Sequence, residues 1–163
     1  MKLFLKRNDT DDSVSFTVYD ESAHPRYNII IATESIRQKM MMEDRAGATV
    51  SEITHSELIL SYFKIRCGGK LYILIPHIKE CFYFIIYGSS LRFAGNIETG
   101  SFSLYDVDKS PVMTQKKCWG KFGGGYELKI YRTEQELFGI SCAICADIYM
   151  SVLSEDTVFS DMC

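Results

Sequence analysis

Apolar and polar positions alternate in short runs along most of this chain, and turn-forming residues separate the runs. "VSFTVYDESAHPRYNIII" alternates, breaks at a turn rich in Asp, Ser and Pro, and returns as a β-branched run. "KMMMEDRAGATVSEI" follows the same plan around "DRAG". "SYFKIRCGGKLYILI" does so around "CGGK", where two glycines accept the positive φ of a tight hairpin. "CFYFIIYGSSLRFAGNI" turns at "GSS", and "GSFSLYDVDKSPVMTQKKCW" turns at "DVDKSP". An opening strand in "LFLK" and a closing one in "YELKIYR" bring the total to about twelve. They fall near residues 3–6, 15–20, 26–31, 38–43, 48–54, 61–67, 70–75, 81–87, 91–97, 101–106, 111–118 and 126–131. Short strands at this spacing predict an all-β sandwich or barrel. "FTVYDESAHPRYNI" and "FSLYDVDKSPVMTQ" share a Phe, a Tyr-Asp and a Pro-containing loop. They are either a weak internal repeat or two hairpins of one turn type.

The period changes in "RTEQELFGISCAICADIYMSVLS", which has no Pro and no turn dipeptide. Thr133 is a candidate N-cap, and Glu136, three residues on, completes a capping-box spacing. The pattern predicts a helix over 134–153, followed by a tail at 154–163. Ile140, Ile144 and Ile148 stack on one face, while Leu137, Phe138, Ala143 and Met150 cover much of the rest. A helix apolar nearly all round must be enclosed by protein or by lipid.

Length and charge favour protein. The apolar run from Leu137 to Leu153 is shorter than the roughly twenty residues a bilayer needs. Asp147 within it would cost on the order of 2.5–3.5 kcal/mol on insertion scales. The flank "SEDTVFSDMC" is acidic and offers no cation to anchor a far side. Twelve strands can close into a barrel wide enough to hold such a helix. The expected fold class is therefore mainly β, a sandwich or barrel with a buried C-terminal helix.

Composition adjusts this picture little. At 163 residues, with 47% hydrophobic and 24% charged residues, the chain reads as one folded domain over 1–153. Ten Tyr and ten Phe suit pleated surfaces. A net charge of −3 gives no overall electrostatic footprint for nucleic acid. The opening "MKLFLKRNDTDD" has too short an apolar core for a secretory signal, and six cysteines without one suggest a reducing, cytoplasmic setting.

The meander of Asp-turn hairpins and the segments "FTVYDESAHPRYNI", "KMMMEDRAGATVSEI" and "YELKIYRTEQELFGI", followed by "AICADI", resemble the tubby C-terminal-like superfamily. Within it the chain is most similar to the LURP-one-related branch, and the likeness spans nearly the whole chain. The resemblance implies a closed twelve-stranded β-barrel with the C-terminal helix threaded through its centre. It also implies a distant similarity to phospholipid scramblases, whose comparable segment is read as a membrane span or as a barrel core.

The chemistry-bearing residues do not assemble a reaction. Cys142 and Cys145 form a Cys-x-x-C, but mid-helix among Ile and Ala they lack the electropositive, exposed helix start that activates such pairs. Asp147 is expected to be hydrogen-bonded inside the fold. His24, His55 and His77 are scattered beside probable turns without metal spacing and are expected at the surface. "GKFGGGYEL" lacks the Gly-Lys-Ser/Thr ending of a phosphate loop, and "NDTDD" lacks the Gly and distal Glu of a calcium loop. One candidate binding group remains in "TQKKCWGKF", where Lys116, Lys117 and Lys121 surround Trp119, the only Trp. An aromatic among lysines suits a membrane interface, each charge contributing about 1 kcal/mol near anionic head groups. The resemblance adds that tubby proteins proper bind phosphoinositide head groups through basic residues on the barrel.

The sequence thus points to a non-enzymatic binding or scaffolding module without cofactor or metal. Its expected partners are anionic phospholipid head groups or another protein, and not nucleic acid. A peripheral membrane position is compatible with a cytoplasmic location. The alternative from another class is a scramblase-like protein whose last helix enters the bilayer.

Overall fold

Alternation decides which side chains face inward. In "YFKIRC", Phe63, Ile65 and Cys67 are buried while Lys64 and Arg66 point out. In "SFSLY", Phe102 and Leu104 do the same. The structure is a computed structural model describing residues 1–163 except 11–12, 35, 79–80, 121–122 and 162–163. The side chains of 10, 13–14, 33–34 and 156–161 are likewise outside the description.

Twelve strands follow one another: β1 (Lys2–Thr10), β2 (Ser13–Tyr19), β3 (Pro25–Glu34), β4 (Arg37–Glu43), β5 (Thr49–Ser56) and β6 (Tyr62–Cys67). Then come β7 (Lys70–Ile78), β8 (Phe82–Tyr87), β9 (Arg92–Asn96), β10 (Ser101–Tyr105), β11 (Pro111–Gly120) and β12 (Gly123–Ile130). Each pairs antiparallel with the next, and β1 also pairs with β12, so the sheet is a closed barrel without edge strands. All twelve expected strands are present, with ends shifted by a few residues.

Three hairpins share one construction. Asp20, Asp44 and Asp106 each accept a backbone N–H three residues on and donate their own N–H to the carbonyl four residues on. The residue three past each Asp is left-handed: Ala23 at φ 65°, Gly47 at φ 79° and Lys109 at φ 67°. A register shift accompanies each turn. The likeness between "FTVYDESAHPRYNI" and "FSLYDVDKSPVMTQ" therefore comes from a reused turn, because "EDRAGAT" supplies a third copy.

A 3-10 turn (Thr133–Gln135) leads into α1 (Glu136–Asp161). The helix touches β5 and β6 on one side and β11 and β12 on the opposite side of the twelve-strand ring, so it runs through the interior. Cys142 to Ala146 are wholly buried, and one apolar cluster joins them to the inward faces of the strands. At 1.5 Å per residue, α1 is about 39 Å long. A ten-residue strand tilted about 40° spans only about 25 Å of barrel height. The last third of the helix therefore has to emerge at the end opposite its entry, and Ser154 and Glu155 are exposed.

Three local expectations are corrected. Position 133 is not a capping box: the residue before the 3-10 turn is Arg132, with no side-chain cap. Glu136 instead turns outward to the barrel wall, where an arginine outcompetes a backbone N–H. The helix also continues past 153 to Asp161, because "SEDTVFSD" contains neither Gly nor Pro to stop it. Finally, His55 is 3% exposed rather than at the surface, since it is the last inward position of β5 and stacks on Phe63 with ring centroids 4.3 Å apart.

Candidate functional site

Two carboxylates pin the helix to the barrel wall. Glu136 accepts Arg26 Nε at 2.6 Å and Nη2 at 3.1 Å, and the Tyr27 hydroxyl donates to it at 3.0 Å. Eleven residues further on, Asp147 accepts Arg7 Nη1 at 2.9 Å and the Tyr126 hydroxyl at 2.8 Å. Eleven residues are close to three helical turns, so both carboxylates lie on one helix face. Their partners lie on β12, β1 and β3, strands on one side of the ring. Each clamp is an Arg–carboxylate–Tyr group, one at the entry of the helix and one near its exit. Burial and the Asp147 charge hold the Tyr126 hydroxyl well above its ordinary pKa. Burial alone would lower the Arg7 value, but the hydrogen bonds and charges of Asp9 and Asp147 outweigh it and raise it. Both groups keep their protons, and the exit clamp is a fixed ion pair rather than an acid–base centre.

Three buried cysteines are equally inert. Cys142 and Cys145 are fully buried, and burial raises both thiols well above the ordinary range. Burial pushes Cys67 up to about 11. Nucleophilic thiolate is thus suppressed at all three. Among the described residues no three His, Cys, Asp or Glu side chains are arranged to hold a metal ion.

The barrel mouth around the helix exit is the open region. Cavities of about 630, 410 and 210 Å³ surround the emerging helix. The largest lies toward β3–β5, and the two smaller ones border Lys117, Tyr126 and Asp147. Of the expected binding group, Trp119 stands 87% exposed at this mouth, its ring lying against Gly124, its cross-strand partner on β12. Lys117 belongs to the same face of β11, and its stem covers Gly100, which sits at φ 65°. Lys116 is exposed on the opposite face of the strand. Neither lysine forms an ion pair among the described residues. Lys121 lies outside the described residues. The structure therefore joins Lys117 to Trp119 and separates Lys116 from them.

Sequence reasoning missed an apolar lip on the other side of the mouth. Leu58, Ile59 and Leu60, between β5 and β6, are 62%, 100% and 56% exposed, and Ile36, between β3 and β4, and Ile78, at the end of β7, are also exposed. The available signal was "ELILS", three aliphatics placed where a hairpin turn should be polar.

No family model matches the chain. It is 24% identical over 163 residues to the uncharacterized protein YxjI of Bacillus subtilis (strain 168), covering 98% of this chain and 99% of that one. A protein of Arabidopsis thaliana solved by X-ray crystallography has a similar structure, with a TM-score of 0.58 and 14% sequence identity over 91% of each chain. The structural likeness carries the fold over 91% of the chain, and neither likeness assigns an activity.

The helix is the one described segment long and apolar enough to cross a membrane, over Thr133–Glu155 with mean hydropathy 1.7. In this structure 61% of its most apolar window is buried inside the barrel.

Proposed function

We propose that this chain is a non-catalytic binding module of the tubby-like, LURP-one-related kind, which rests on an anionic phospholipid surface at the cytoplasmic side. The observation that carries the reading is Trp119, 87% exposed at the barrel mouth beside Lys117, which forms no ion pair among the described residues. A large indole left in water is otherwise costly, and at an interface its apolar body and N–H are both satisfied. The Lys117 charge adds attraction to anionic head groups that salt screens.

Vesicle co-sedimentation tests this. Wild type should bind phosphatidylcholine vesicles containing phosphatidylserine or phosphoinositide, lose binding as salt rises, and show a blue shift of Trp119 fluorescence. Lys117→Glu should weaken binding by at least about fivefold, from about 1 kcal/mol lost per basic residue. Failure of wild type to bind any anionic vesicle ends the proposal in favour of a protein partner. The scramblase-like alternative requires α1 to leave the barrel, breaking both carboxylate clamps and emptying the core.

A further inference from the structure

We infer that the 630 Å³ cavity beside the helix exit takes the hydrocarbon chain of an amphiphile with a zwitterionic head group. Its size falls within the usual range for small-molecule sites. The lining is graded. The inner wall is apolar, with buried Ile148 and half-buried Ile31 and Val152. The opening carries charges of both signs, Arg37 against Glu57 and Glu155, all exposed.

The charges sort by availability. Arg7 also lines this cavity, but its guanidinium is taken by Asp9, Asp147 and Ser151. Arg37 is exposed, has no ion pair among the described residues, and is the cation at the opening that a phosphate would meet. His55 is held by the Ser61 hydroxyl at 3.0 Å and stacked on Phe63, with Glu57 Oε1 3.6 Å from its Nε2, so Glu57 and Glu155 form the anionic side of the opening. A purely anionic head would face both carboxylates, whereas a phosphate joined to a quaternary or primary amine satisfies both signs. The apolar lip supplies the approach. Leu58 lines the cavity and Ile59 next to it is fully exposed, so a chain passing inward stays against aliphatic surface. This site lies across the mouth from Lys117 and Trp119 and does not require the lysine face.

Calorimetric titration with lysophosphatidylcholine below its critical micelle concentration tests the site. Wild type should bind one equivalent. Glycerophosphocholine, a head without a chain, should not bind, and a fatty acid of equal chain length should bind at least tenfold more weakly. Val152→Trp, which fills the inner wall, and Arg37→Glu, an exposed charge reversal, should each weaken binding at least tenfold with unchanged circular dichroism. Lys117→Glu should bind lysophosphatidylcholine like wild type, which separates this site from anionic surface binding. A parallel arm with vesicles of neutral phosphatidylcholine shows whether the chain is taken from water or from a bilayer, and uptake from either supports the site. Absence of binding in both arms overturns the inference, as does wild-type affinity in a folded Val152→Trp. Equal affinity for the fatty acid overturns the head-group assignment.

Discussion

Replacing Arg7 with methionine removes the cation of the exit clamp while keeping most of its apolar stem. Asp147 would keep the Tyr126 hydroxyl on one oxygen and lose Arg7 from the other. Its side chain is 10% exposed, so water cannot fully replace the guanidinium. Stranding one member of a buried pair costs about 3–5 kcal/mol. Arg7 is 29% exposed, however, and solvent reaching its vacated position reduces the expected loss to about 2–3 kcal/mol. For a domain of this length that is a fall in melting temperature of about 4–12 °C. Asp147→Asn keeps hydrogen-bonding capacity and should cost about 1 kcal/mol. In Arg7→Met/Asp147→Leu no charge is stranded, so the double variant should be more stable than the sum of its singles by at least about 1 kcal/mol. Urea unfolding followed by far-UV circular dichroism measures all four corners of the cycle. Additivity within about 0.5 kcal/mol, or an unchanged melting temperature in Arg7→Met, would refute the clamp.

Two further outcomes follow from burial. Burial holds the His55 pKa at about 4, below its ordinary 6.5, so the unfolded chain takes up the proton first as pH falls. Stability should therefore decline from pH 6.5 to about 4, by about 3 kcal/mol, and this part of the decline should vanish in His55→Gln. Parallel pH slopes for wild type and variant in urea titrations would contradict it. Cys142 and Cys145 should resist a maleimide in the native protein and react after denaturation, while exposed Cys81 reacts at once. Native labelling of either helix cysteine, read by peptide mass spectrometry, would place the helix outside the barrel.

The strands and the helix were legible because each depends on short-range periodicity. Phe63, Ile65 and Cys67 announce an inward face by alternation alone, and "GISCAICADI" announces enclosure by having no polar face. The same short range explains the errors. Thr133 and Glu136 carry a capping-box spacing, yet Arg26, 110 residues earlier in the chain, claims the Glu136 carboxylate. His55 sits beside a turn in sequence and inside the barrel in space, because one further residue of alternation points it inward.

The candidate site divides in the same way. "TQKKCWGKF" marks a cationic aromatic segment by composition, but only strand pairing shows that Lys117 and Trp119 share the mouth while Lys116 faces away. The aliphatic "LIL" is visible in the chain, although nothing local says that it borders a cavity. What the sequence by itself determined was the list of elements and their apolar faces, since backbone propensity and burial period act over a few residues. Closure of β1 on β12, the pairing of Arg7 and Arg26 with two carboxylates over a hundred residues away, and the unfilled space beside the emerging helix were decided by the tertiary structure. Each depends on which distant groups share a solvent-poor interior, and in such an interior an unpaired charge is too costly to leave alone.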